Sequence, residues 1–148
     1  MSPATTPGPA TPDREVVDLC RELIRIDSSN YGDGSGPGER VAAEYVAGKL
    51  AEVGLDPQLH ESAPGRTSVV ARIEGSDRKR TDALLLHGHL DVVPARAKDW
   101  TYDPFAAEIA QGCVWGRGAV DMKDMDAMIL SSVREGTVAP VLPVLPGT

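Results

Sequence analysis

A chain of 148 residues has room for one domain with a hydrophobic core, since domains commonly run to about 100 to 150 residues. Its 15 basic and 22 acidic side chains give a formal net charge of -7, which offers nucleic acid or anionic lipid no electrostatic footprint. The longest apolar stretches, such as Ala83 to Leu86, fall far short of the roughly 20 residues that span a bilayer, and the first residues lack the basic-then-apolar pattern of a secretion signal. A cytoplasmic protein acting on small molecules, with neither nucleic acid nor membrane as partner, is the expectation.

Residues 1–12 hold four prolines among Ser, Thr, Ala and Gly, a composition that buries too little apolar surface to order itself, and they are read as a disordered leader. From Asp13 the pattern changes, because Val16, Val17, Leu19, Cys20, Leu23, Ile24 and Ile26 recur at helical spacing with Thr11 or Asp13 as cap candidates. Cys20 and Cys113 belong to no C-x-x-C pair, so both are expected to be small buried apolar residues. The stretch Ser28 to Gly38 is rich in glycine and reads as a loop. It lacks the G-K-[ST] ending of a phosphate-binding loop, which weighs against nucleotide binding.

A second helix is predicted where Val41, Ala42, Tyr45, Val46 and Leu50 form a stripe that Gly54 stops. The period then shifts towards two, giving strands over Gln58 to Glu61 and Thr67 to Ile73 around a Pro64-Gly65 turn. Ser76 to Asp82 is charged and reads as a solvated turn, leading into Ala83 to Leu86, an apolar run of the kind expected for a strand buried on both faces. Glu108 to Trp115 looks like a hairpin over Gln111-Gly112, and Lys123 to Glu135 like a helix with Met125, Met128, Ile129 and Val133 on one side. Helices alternating with strands in this order predict an α/β fold. Residues 136–148 carry three prolines and read as an irregular tail.

The chemistry is concentrated in two motifs. His87-Gly88-His89-Leu90-Asp91-Val92-Val93-Pro94 follows the apolar run, and open α/β sheets bind ligands just beyond the carboxyl ends of their strands. An imidazole ligates a metal through one nitrogen while a nearby carboxylate holds the other N–H, and on extended chain residues two apart point the same way. His89 with Asp91 behind it meets that requirement, although H-x-D alone is short enough to arise by chance. The second motif, Trp115-Gly116-Arg117-Gly118-Ala119-Val120-Asp121-Met122-Lys123-Asp124, is a glycine-bracketed turn that delivers a carboxylate at a helix entrance. Asp121 is thereby a candidate bridge between two cations, which such sites hold about 3.5 to 4 Å apart.

On these two motifs, together with SSNYGDGSGPGE and DWTYDPF, the chain resembles the M20 family of zinc metallopeptidases and acyl-amino-acid deacylases from about Asp13 to Glu135. The resemblance implies the N-terminal part of a three-layer α/β/α catalytic domain with a mixed sheet, spanning residues 13–135, without the dimerisation or lid domain. It also implies two zinc ions, with cobalt or manganese as substitutes, hydrolysis of an amide bond in a small peptide or N-acyl amino acid, and homodimerisation of the full-length form. By the same resemblance His89 is a metal ligand, Asp91 supports that ligand in catalysis, and Asp121 bridges the metals beside a cis peptide bond. The family's Glu-Glu pair, further acidic ligand and late histidine have no counterpart, so the chain alone is expected to be incompetent, with residues 136–148 read as a frameshift or truncation rather than a natural short variant. The competing expectation is a non-catalytic remnant or interaction module. Arg117 is expected to help position its turn, His87 to pack at the strand end, His60 to face solvent, and Trp100, Tyr102 and Phe105 to pack together over the rim.

Overall fold

The computed structural model describes residues 12–75 and 82–138; the leader up to residue 11, most of the charged turn and most of the proline-rich tail lie outside the described residues. Among the described residues α-helices α1 (Pro12–Arg25), α2 (Arg40–Ala51) and α3 (Lys123–Val138) accompany strands β1 (Gln58–Ala63), β2 (Arg66–Val70), β3 (Glu108–Ala110) and β4 (Cys113–Trp115). The fold is α/β, as the sequence predicts. Proline suits the first turn of α1 because its missing N–H would have no helical partner there.

The core lies where α1 meets α3. Leu19, Cys20, Leu23 and Ile24 of α1 are buried against Ala127 and Leu130 of α3, with Leu50 of α2 and Ala107 completing the cluster. On α3 the buried face is Lys123, Ala127, Leu130 and Ser131, the i, i+4, i+7, i+8 stripe of an amphipathic helix. The expected face was wrong in part: Met125 and Met128 are 43% and 48% exposed. Hydropathy alone favours the methionines, whereas the lysine that displaces them is buried because its ammonium finds carbonyl partners. Arg134 fastens the helices together, its Nε 3.0 Å from Glu15 on α1 and its guanidinium 3.0 Å from Glu52 just past α2. Ser131 donates to the other Glu15 oxygen at 2.9 Å.

β1 and β2 pair antiparallel across the Pro64-Gly65 turn, with Leu59 opposite Val69, and β3 and β4 pair across Gln111-Gly112. Both hairpins fall where the sequence places them, though β2 ends at Val70 rather than Ile73. The apolar run does not form the expected buried strand: Leu84 and Leu85 are 85% and 80% exposed, and no ladder includes them among the described residues. A strand exists only through a neighbour's hydrogen bonds, and the sequence pattern records the capacity to be buried, not the presence of that neighbour.

Other corrections are local. α3 continues through Gly136 to Val138. Cys113 is exposed while Cys20 is buried, and both are free thiols. The aromatic cluster is split: Tyr102 packs on Trp115 at 5.0 Å between ring centroids, whereas Trp100 pairs with Arg117. No helix among the described residues is long and apolar enough to cross a membrane.

Candidate functional site

Two chain segments carry the site, and the residues after α1 hold the first of them. Ser28 Oγ donates to the Leu90 carbonyl at 2.6 Å, and Ser29 forms a parallel bridge with Val92. Two backbone bonds flank that bridge, from Val92 to the Ser28 carbonyl at 3.1 Å and from Asn30 to the Val92 carbonyl at 2.9 Å. Ser28 and Ser29 are buried, so residues 90–92 are fixed by partners that water does not compete for. His89 and Asp91 project from this anchored segment.

The second segment is the turn Gly116 to Met122. Gly118 has φ of +82°, and a Cβ there would lie 2.8 Å from Val92 Cγ1, so only glycine lets the turn press against the His89 segment. Its carbonyl accepts from the Lys123 N–H at 2.9 Å, and the Arg117 N–H reaches the Pro104 carbonyl at 2.7 Å. The Asp121-Met122 peptide bond is cis.

Lys123 ties this turn to α1. Its ammonium donates at 2.8 Å to both the Leu23 and the Ile26 carbonyls at the end of a helix, where carbonyls lack their intrahelical partners; the Leu23 oxygen also accepts the Ile26 N–H at 3.1 Å. Burial depresses its pKa to about 8 against the attraction of Asp27. Sequence reasoning passed over this lysine, yet a signal was present, because a cation in the first turn of a helix faces the unfavourable end of the macrodipole and must be held by something else.

The two segments converge. His89 Nε2 lies 3.0 Å from Asp121 Oδ1, while His89 Nδ1 lies 3.0 Å from the Asp91 carbonyl oxygen and 3.2 Å from Asp91 Oδ1. Burial works against a charged ring here, but the hydrogen bonds to Asp91 and Asp121 outweigh it and raise the His89 pKa. The Asp121 side chain is 88% exposed and the His89 side chain 48% exposed, so both face a cleft of about 360 Å³ whose walls include Asn30, Asp91, Trp100 and Arg117. The Arg117 guanidinium stands 5.0 Å over the Trp100 ring, a cation–π contact that stiffens the wall. Thus the three residues singled out from the motifs come together, whereas His87 is exposed beyond the segment's anchored part, and His60 is exposed on β1.

A metal fit can be judged from the donors. Ligands at about 2.0 to 2.2 Å from one tetrahedral zinc ion stand roughly 3.3 to 3.6 Å from each other, and an imidazole nitrogen and a carboxylate oxygen at 3.0 Å come within about half an ångström of that spacing. Among the described residues no group of three or more His, Cys, Asp or Glu side chains assembles around an ion position.

Residues 85–142 match the profile of peptidase family M20/M25/M40. Over 113 residues, 73% of this chain and 26% of the relative, the chain is 38% identical to succinyl-diaminopimelate desuccinylase of Methylocella silvestris. It is 32% identical over 135 residues to aminoacylase-1A of Rattus norvegicus, covering 88% of this chain and 31% of that one. A third similarity, 30% over 123 residues, is to N-formyl-4-amino-5-aminomethyl-2-methylpyrimidine deformylase of Bacillus subtilis, with 81% and 28% covered. The chain therefore spans between a quarter and a third of the length of these curated relatives.

Proposed function

The chain belongs to peptidase family M20/M25/M40, and on that premise we propose that it is part of a zinc-dependent hydrolase acting on an amide bond of a small peptide or N-acyl amino acid. The observation that carries the reading is the meeting of His89 Nε2 and Asp121 Oδ1 at 3.0 Å in an open cleft. The relatives' names, a desuccinylase, an aminoacylase and a deformylase, share removal of an acyl group from nitrogen, and they support the amide as the bond broken.

In this reading His89 and Asp121 would hold the metal. Zinc, once bound, polarises a carbonyl and lowers the pKa of its water to near neutrality. The remaining tasks fall to the chain. Asp91 keeps the His89 ring oriented and its Nδ1 proton in place, which raises the basicity of Nε2. Trp100 and Arg117 shape the wall against which substrate rests. A catalytic zinc keeps three protein ligands and one open position, so two donors give weak binding, and catalysis requires ligands beyond the described residues. Soluble cytoplasmic residence and dimerisation of a longer form accompany this proposal.

Calorimetric titration of the chain with zinc tests it. Weak binding that His89→Ala and Asp121→Ala each abolish is the expected result. Identical titrations for parent and both variants would sink the metal assignment. Turnover of an N-acyl amino acid by the isolated chain would overturn the statement that its donors are too few.

A further inference from the structure

The carboxylate behind His89 is itself held. Asp91 Oδ1 faces the ring at 3.2 Å, and Asp91 Oδ2 accepts from the Asn30 side-chain amide at 2.9 Å. Arg66 stands 3.8 Å from the same Oδ2 and 2.9 Å from Glu39 Oε1, and the Glu39 side chain is only 8% exposed. The glycine-rich loop brings these groups together. The Glu39 N–H donates to the Gly65 carbonyl at 2.9 Å, and a Cβ on Gly38 would lie 2.5 Å from that oxygen, so the loop end is pressed onto the β1–β2 turn that bears Arg66. Asn30 meanwhile accepts the Gly32 N–H at 2.9 Å through its own Oδ1. With that oxygen engaged, its NH2 group is the one aimed at Asp91.

We propose that Asn30 is a positioning residue, whose amide, braced by the Glu39-bound Arg66, locks the Asp91 carboxylate so that it takes the Nδ1 proton of His89 and leaves Nε2 facing Asp121. The physical logic is that a carboxylate free to rotate serves either of its neighbours, whereas one with Oδ2 committed presents only Oδ1 to the ring. The tautomer then follows, because the imidazole donates from the nitrogen whose acceptors are fixed. Nδ1 has two such acceptors, the Asp91 carbonyl and Oδ1. Nε2 has one, on a side chain that is 88% exposed and shared with water. Asn30 is not a catalytic residue here; it acts through Asp91, and its consequence for metal binding rests on the reading of His89 and Asp121 as ligands.

Asn30→Asp separates this role from the loop's own architecture, since it keeps the side-chain size and an oxygen for the Gly32 N–H but turns the donor facing Asp91 into an acceptor. Two readouts apply to the full chain. Nitrogen-15 shifts of the neutral His89 ring, assigned by their loss in His89→Gln, report the tautomer without any metal. Competition against a chromophoric chelator reports zinc affinity. The parent ring is expected to carry its proton on Nδ1, and Asn30→Asp to move a large share of it to Nε2 and to weaken zinc binding about 10-fold or more. The swapped pair, Asn30→Asp with Asp91→Asn, is expected to restore the Nδ1 proton relative to Asp91→Asn alone, because the carboxylate introduced at position 30 draws the new amide's NH2 towards itself and turns its oxygen to the ring.

An unchanged tautomer in Asn30→Asp, or a swap that gains nothing, overturns the proposal even if zinc binds through His89. Should the parent bind no zinc while the tautomer shifts as expected, the metal reading fails and the positioning role stands.

Discussion

Asp126 shows how a single buried carboxyl reports on its surroundings. It points from α3 towards the His89 segment, its Oδ2 is buried without a hydrogen-bond partner, and burial raises its pKa from 3.8 to about 7 against the opposing pull of His89 and Lys123. A carboxyl whose folded pKa is raised binds its proton more tightly in the folded chain. Its contribution to stability is therefore fully present below 3.8 and is lost as the pH climbs to about 7. Asp126→Asn is expected to raise the urea midpoint above neutral pH and to leave it nearly unchanged below 3.8, measured side by side with the parent. A midpoint difference that does not vary with pH would show that the carboxyl is neither strained nor titrating in that window. Lys123 is the opposite case, a buried charge with its bonds made. Lys123→Met keeps the aliphatic stem but takes the ammonium from the Ile26 carbonyl and leaves the Leu23 carbonyl with only the Ile26 N–H, so equilibrium unfolding is expected to show a loss of about 2 kcal/mol.

At the scale of elements, the site depends on how closely the turn before α3 approaches the segment after the apolar run. Gly118→Ala forces a side chain into a left-handed conformation and against Val92 and Lys123. Strain of that kind costs on the order of 1 to 3 kcal/mol. Because the contact is with the anchored segment, zinc affinity is expected to fall along with the denaturation midpoint; a midpoint loss with unaltered zinc binding would mean that the two segments keep their register without this contact. The three helices are coupled in the same manner through Glu15, Arg134 and Glu52. The Arg134 side chain is 17% exposed, so Arg134→Met leaves Glu15 half-buried without its charge partner. A destabilisation of about 1 to 3 kcal/mol is expected, and a double-mutant cycle with Glu15→Gln measures how much of it belongs to the pair.

For the whole molecule the dominant fact is uncovered apolar surface. Leu84, Leu85 and Ile73, at 85%, 80% and 56% exposure, line a groove with Val70, Ile129 and Val133, and the outer edge of β2 is unpaired among the described residues. Contiguous apolar surface beside free strand edges promotes association. Sedimentation is expected to show the parent self-associating with concentration, and Leu84→Lys with Leu85→Glu to shift it towards monomer; a parent that stays monomeric at all concentrations tested would remove this expectation.

Much of the architecture was legible in the residues alone, for reasons of local physics. Helical spacing located α1 and α2, Pro64-Gly65 and Gln111-Gly112 located both hairpins, and H-x-D with the glycine-bracketed aspartate located His89, Asp91 and Asp121. Each signal is a property of neighbours in sequence, where periodicity and turn chemistry act. What surrounds those three residues was not legible. Asn30 is 61 positions from Asp91, and Lys123 is 100 and 97 positions from the carbonyls it binds, so no local pattern encodes either contact. The fate of Ala83 to Leu86 was undecided for the same reason, since hydropathy states that a segment favours burial but only other parts of the chain supply the surface that buries it. The sequence by itself marked the two motifs whose His89, Asp91 and Asp121 meet at the cleft; the tertiary structure alone decided what surrounds and holds them there, because side-chain hydrogen bonds and packing are satisfied by proximity in space and not along the chain.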